Sequence, residues 1–199
     1  MGEISGDKYA FAGRLKRGGI DIEPISTHAF YIFSTVFKEG KSRCLANGYG
    51  FCVTKAALLA AALRVHGIPA RVGYADVRNH MTSPRMRATM GTDVFAFHGY
   101  TDVWLDGRWV KATPAFNLTL CERAGTKPLE FDGETDSILQ PFDLSGRRHM
   151  EYVQDRGTYA DLPLAELIEV WDEIYPVTAE WKRGGLPQGD FEREVERPQ

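Results

Sequence analysis

Residues 47–75 read NGYGFCVTKAALLAAALRVHGIPARVGYA and carry the features from which the fold can be predicted. The eight residues from Ala56 to Leu63 are strong helix formers, with no glycine or proline among them. Gly67 and Pro69 follow at positions that commonly end a helix. Because nearly every side of this helix is apolar, we expect it to be buried at the centre of the molecule. Residues 71–75 then predict a short strand.

Cys52 stands at the start of this helix, just after the glycine turn at residues 48–50. The unpaired backbone N–H groups and the positive dipole end of a helix N-terminus stabilise a thiolate. We therefore expect a lowered pKa for the Cys52 thiol and predict that this residue is a nucleophile. The alternative is an inert core thiol, because free cysteines are often buried.

A β-hairpin with a histidine is predicted downstream. Residues 95–105 and 109–113 form its strands, joined by the turn signal Asp106-Gly107. A cysteine at a helix N-terminus followed by a histidine on a strand is typical of cysteine nucleophiles, whose imidazole takes the thiol proton and delivers it to the leaving amine. His98 is the candidate imidazole. Pairing outward from the turn places Thr113 near it, where a third group would orient the ring.

The segment from about Gly48 to Asn117 resembles the transglutaminase-like superfamily of papain-fold cysteine enzymes. GYGFCVTKAALLAAALRVHGIPARVGYA matches the nucleophile block and FAFHGYTDVWLDGRWVKATPAF matches the histidine block. The resemblance implies an α+β papain-like fold, with a buried nucleophile helix packed on an antiparallel β-sheet. It also implies acyl transfer or hydrolysis at an amide through a thioester, with Cys52 as nucleophile and His98 as general base and acid.

The third catalytic position departs from the family pattern. The family usually has an Asp followed by Pro four residues after a Trp, whereas here Trp109 leads to Thr113 and then Pro114. A threonine hydroxyl can accept a hydrogen bond from the His98 ring but brings no charge to stabilise an imidazolium. Asn117 is a substitute orienter whose offset does not match the family. Two alternatives stay open: a catalytically impaired domain that serves as a binding module, and an ordinary papain-type peptidase that uses Asn117.

Composition excludes several other classes. A net charge of −3 over 199 residues gives no basic surface for nucleic acid. No apolar run has the length of a membrane span, and the N-terminus lacks the apolar core of a signal peptide. Three cysteines without zinc-type spacing favour free thiols in a cytoplasmic protein, with no metal and no organic cofactor. We expect a peptide or small amide as substrate and, for a small domain of bacterial type, water as the favoured acceptor.

The chain is predicted to form one transglutaminase-like domain over residues 1–180, with its core motif blocks at 47–117. Residues 181–199 are rich in Gly, Pro and charge and are predicted to be a disordered tail.

Residues 76–94 are predicted to be one long loop, a form often used for lids and binding loops. We expect a strand at 149–153 and an amphipathic helix at 163–174. The hypothesis for the loop is that its basic residues contact acidic groups of a substrate: Arg78, Arg85 and Arg87.

Overall fold

The computed structural model describes residues 50–178. The predictions for residues 1–49 and for the tail at 181–199 lie outside that range, and the domain boundary near residue 180 stays a prediction. The described residues form an α+β fold with four helices and four strands. The helices are α1 (Cys52–Val65), α2 (Pro84–Met90), α3 (Leu118–Ala124) and α4 (Leu164–Ile174). The strands are β1 (Ala70–Asn79), β2 (Val94–Leu105), β3 (Arg108–Ala112) and β4 (Met150–Tyr159).

The four strands form one antiparallel sheet in the order β3-β2-β1-β4. Helix α1 packs across the two central strands, β1 and β2. The core lies between them and includes Val53, Ala60, Leu63, Val72, Tyr74, Phe97 and Val103. The predicted architecture, a buried nucleophile helix on an antiparallel sheet, is confirmed. None of the helices within residues 50–178 is long and apolar enough to cross a membrane.

Both ends of α1 are fixed by local hydrogen bonds. At its start, the Thr54 hydroxyl accepts the backbone N–H of Phe51 at 3.2 Å. At its end, Gly67 adopts a left-handed conformation with φ +72, and the next N–H returns to the carbonyl of Leu63 at 3.0 Å. The glycine is therefore required by the backbone, as the sequence predicted.

The predicted hairpin is also confirmed. Asp106 and Gly107 have φ values of 49 and 83, which a two-residue turn between twisted strands requires. Pairing runs outward from Leu105 opposite Arg108 to Thr101 opposite Ala112, where β3 ends.

The prediction of one long loop at 76–94 is wrong. Strand β1 continues to Asn79, because it pairs with β4 from far along the chain, and the short helix α2 follows with Ser83 as its N-cap. Arg78 and Arg87 both pair with Asp93, at 3.4 and 3.1 Å. Two of the three arginines proposed to contact a substrate are thus engaged by a carboxylate of the same segment.

Strand β2 contains a bulge immediately before His98. Ala75 of β1 lies opposite His98 and Val77 lies opposite Phe95, so β2 has one more residue than β1 in this interval. Phe97 has a φ of 57, which is rare for a bulky residue. The bulge interrupts the simple alternation of faces along β2 and changes the direction of the side chains beside it.

Candidate active site

Cys52 packs directly against the backbone of β2. A methyl group added to Gly99 would lie 3.0 Å from the carbonyl oxygen of Cys52 and 2.9 Å from the Cα of Val53. Only glycine fits at this contact. The backbone N–H groups of Gly99 and Val53 are directed at the thiol. Cys52 therefore meets β2 at the peptide bond between His98 and Gly99.

The Cys52 thiol is uncharged in this environment. Burial raises its pKa, and this effect outweighs the lowering by the N–H groups of Gly99 and Val53 and by the charge of Lys55. The sequence led us to expect a lowered pKa from the helix N-terminus alone. The difference arises because desolvation penalises the thiolate more than a few backbone dipoles stabilise it.

His98 is likewise held in its neutral form. It is 5% exposed, and burial lowers its pKa from 6.5 to about 4. Its ring packs edge-on against Tyr152, with the ring centroids 6.5 Å apart. Within residues 50–178, no polar group hydrogen-bonds its Nε2 atom.

Thr113 is buried and does not hydrogen-bond His98. Its hydroxyl lies near enough to the Tyr152 hydroxyl to lower the pKa of that tyrosine, yet among the described residues it has no hydrogen-bond partner of regular geometry. The hairpin register explains the offset from His98. Since Thr101 pairs with Ala112, the next step places Thr113 toward Tyr100, two residues beyond the histidine.

Tyr152 contacts His98 and Thr113, and its place beside them was not predicted from the sequence. Its hydroxyl accepts the backbone N–H of Leu139 at 3.1 Å, and burial raises its pKa to about 12. It belongs to β4 and lies opposite Val77 of β1. No sequence motif marked this tyrosine, because its place beside His98 depends on the long-range pairing of β4 with β1.

Tyr74 is a second residue that the sequence did not single out. It lies directly opposite Gly99 in the β1–β2 ladder and is fully buried. Burial and, next, the negative charge that Cys52 can carry raise its pKa. Its hydroxyl makes no hydrogen bond to the part of the chain that the structure describes. A neutral phenol is thus present in the surroundings of the thiol.

The substitute orienter Asn117 has a structural role instead. Its Oδ1 accepts the backbone N–H of Leu120 at 2.8 Å as the N-cap of α3. That oxygen is therefore engaged, which removes the residue on which the papain-type alternative depended. Cys121, the other described cysteine, is 1% exposed on the same helix.

A half-buried cysteine at a helix N-terminus thus packs on the backbone of a strand next to a histidine. Residues 31–114, which are 84 of the 199, match the family model described as the transglutaminase-like superfamily. The matched segment contains Cys52, His98 and Thr113. No curated protein and no solved structure gave a match. Over residues 50–178, no group of three or more His, Cys, Asp or Glu side chains is placed to hold a metal ion.

Proposed function

We propose that the protein is a cysteine enzyme that transfers or hydrolyses the acyl group of an amide through a thioester on Cys52. The observation that carries this proposal is the packing of Cys52 against the His98–Gly99 peptide. This packing supports the proposal because it brings the start of α1, which carries Cys52, against the strand segment that carries His98. The match of residues 31–114 to the model of the transglutaminase-like superfamily supports a thiol-based reaction of this kind.

The reaction begins from an uncharged pair. Since burial keeps the thiol protonated and the imidazole neutral, the proton moves from Cys52 to His98 as sulfur attacks the carbonyl carbon. The new S–C bond forms a tetrahedral intermediate, and its oxyanion needs donors. The backbone N–H of Cys52 at the helix N-terminus and the Tyr74 hydroxyl are suited to that role.

Collapse of the intermediate breaks the C–N bond, and His98 gives its proton to the departing amine. A second nucleophile then attacks the thioester while His98 takes its proton, and the thiol is restored. If water is the acceptor, the product is a carboxylic acid; if an amine is the acceptor, the product is a new amide. We propose hydrolysis of a peptide or small amide in the cytoplasm, without a nucleic-acid or membrane partner.

A binding module that has lost catalysis is the second candidate. The observation in its favour is that His98 Nε2 and Thr113 Oγ1 are both buried and, within the described residues, unpartnered. A ring without an oriented partner has no fixed tautomer, and in a serine-type triad a wrong tautomer lowers turnover by about 10⁴. Cysteine sites depend less on this residue, because papain-type enzymes use a neutral Asn there.

Trapping of the acyl-enzyme separates the two candidates. The chain would be mixed with a panel of activated aryl amides and esters, quenched in acid and analysed by intact mass and peptide mapping. The proposal predicts an acyl adduct on Cys52 that is lost in Cys52→Ala and slowed in His98→Ala, while Cys121→Ala behaves as wild type. No adduct with any ester or amide would favour the binding module.

A further inference from the structure

The strained bulge before His98 is held by a side chain from the neighbouring strand. The backbone N–H of Phe97 points out of the β-ladder and donates to Asp76 Oδ1 at 3.0 Å. Asp76 is only 4% exposed. A bulky residue with positive φ persists only where its surroundings stabilise that conformation, and this hydrogen bond is one such contact.

Asp76 is in turn fixed by Arg156 of β4. The guanidinium donates from Nε to Oδ1 at 2.6 Å and from Nη2 to Oδ2 at 2.7 Å, a two-pronged contact that sets the plane of the carboxylate. The same guanidinium lies over the Phe97 ring, 4.7 Å from its centroid. Asp76 therefore binds the backbone of Phe97, and Arg156 packs over its ring. Phe97 is the residue that precedes His98.

Ala96, the residue before Phe97 in the bulge, is also held by hydrogen bonds with side chains. The N–H of Ala96 donates to the Tyr175 hydroxyl at 2.6 Å, and its carbonyl accepts the indole N–H of Trp171 at 3.1 Å. Tyr175 also donates its hydroxyl proton to the carbonyl of Val94 at 3.1 Å. Side chains therefore replace the ladder hydrogen bonds that the bulge breaks.

We propose that Asp76 and Arg156, acting through the Phe97 backbone, are positioning residues that set the place of His98 against Cys52. The inference rests on the proposed function for its catalytic consequence. It also explains how the histidine is placed although Thr113 does not hydrogen-bond it: the backbone on which His98 sits is anchored instead of its ring. Arg156 lies beyond the family-matched residues 31–114, as do Trp171 and Tyr175, so the C-terminal part of the chain completes the site.

The test replaces the ion pair without leaving a buried charge. In the double variant Asp76→Leu/Arg156→Met both partners become apolar, a change that is often neutral for folding, whereas Phe97 N–H loses its acceptor. Asp76→Asn keeps an acceptor oxygen for that N–H. The matched control is Arg71→Met/Asp102→Leu, which removes an Arg–Asp pair that joins β1 to β2 with a 3.0 Å contact.

The readout is the imidazole signal of His98 in histidine-labelled protein, followed by NMR as a function of pH and assigned with His98→Gln. We expect the Asp76→Leu/Arg156→Met variant to shift this signal and raise the pKa of His98 from about 4 toward 6.5, by about one pH unit or more, as the ring gains solvent. Asp76→Asn and the control should stay near wild type. The alkylation rate of Cys52 should fall in Asp76→Leu/Arg156→Met and stay near wild type in Asp76→Asn and in the control.

An unchanged His98 signal in a folded Asp76→Leu/Arg156→Met variant would overturn the inference, and so would an equal shift in the Arg71→Met/Asp102→Leu control. If the first double variant does not fold, Tyr175→Phe removes the hydroxyl that bonds the Ala96 N–H and the Val94 carbonyl, and it must shift the His98 signal in the same direction. An unchanged His98 signal in Tyr175→Phe would also overturn the inference. Because the signal is read without substrate, absence of catalysis would contradict the proposed function and leave this inference standing.

Discussion

Gly99 and Cys52 pack backbone against backbone, so closely that a single methyl group on Gly99 would come within 3.0 Å of the Cys52 carbonyl oxygen. The contact involves main-chain atoms on both sides, which cannot move aside as a flexible side chain can. Helix α1 and strand β2 are therefore held at a fixed separation where Cys52 packs beside the segment that carries His98.

Gly99→Ala should separate these two elements. The added methyl group must displace the start of α1 or the backbone of β2, and overpacking of this kind destabilises by about 1–3 kcal/mol. We expect a lower urea midpoint and a lower Cys52 alkylation rate. Gly107→Ala is the control, because its φ of 83 makes the change strained by about 1–2 kcal/mol but nothing lies within 4 Å of the new methyl group. If Gly99→Ala and Gly107→Ala lower the Cys52 alkylation rate equally, the loss of folding stability alone explains the effect, and the Gly99–Cys52 contact has no specific role.

Thr113→Asp should supply the charge that the third position lacks. A carboxylate near His98 favours the imidazolium, so the pKa of His98 should rise from about 4 and acylation of Cys52 should become about tenfold faster. Thr113→Val is the matched control: its hydroxyl is buried and, in residues 50–178, unpartnered, so its removal should be nearly neutral for stability and rate. A folded Thr113→Asp variant with a slower reaction would contradict this assignment.

Tyr152 should shield His98 through its ring rather than its hydroxyl. Tyr152→Leu removes the edge-on contact at 6.5 Å, admits solvent and should raise the pKa of His98 toward 6.5. Tyr152→Phe keeps the ring and gives up only the hydroxyl that accepts the Leu139 N–H. An NMR titration of the histidine should therefore resemble wild type in the Phe variant and differ in the Leu variant; the reverse order would refute the shielding role.

The buried neutral histidine makes folding stability depend on pH. The unfolded chain protonates His98 near 6.5, whereas the folded chain does so only at about 4. Between these values the unfolded state binds more protons, so stability is fully present above pH 6.5 and is lost as the pH falls toward 4. The difference of 2.5, from 6.5 − 4, corresponds to about 3 kcal/mol.

Urea unfolding across this range measures that contribution. Wild type should lose about 3 kcal/mol more than His98→Gln on acidification. His149 is also buried with a lowered pKa, so His149→Gln serves as a second variant that removes a separate part of the acid sensitivity. Equal acid sensitivity in wild type and His98→Gln would mean that the histidine is not held neutral.

The sequence predicted the parts of the fold whose causes are local. Helix α1 follows from its run of alanines and leucines and ends at Gly67, and the hairpin follows from Asp106-Gly107. The two family blocks pointed to Cys52 and His98, and in the structure Cys52 packs on the peptide between His98 and Gly99.

The rest depends on contacts between distant parts of the chain. Asp76 and Arg156 are 80 residues apart, and the bulge that they hold cannot be recognised from the alternation of residues in β2. The thiol pKa was predicted in the wrong direction because a helix N-terminus is visible in a sequence, whereas the degree of burial around Cys52 is not. Asn117 could be placed near the site by its number but not recognised as a helix cap.

The most direct test of the Cys52–His98 pair is alkylation of Cys52 by iodoacetamide as a function of pH, in wild type and in His98→Ala, with the modified site read by mass spectrometry. Cys121 provides an internal reference that should not respond to His98. Because desolvation raises the pKa of the Cys52 thiol and His98 is neutral above about 4, we expect a neutral-pH alkylation rate that depends on His98 and falls by about tenfold or more in His98→Ala. An identical pH profile in the two proteins, with Cys52 reacting as an ordinary thiol, would contradict the account.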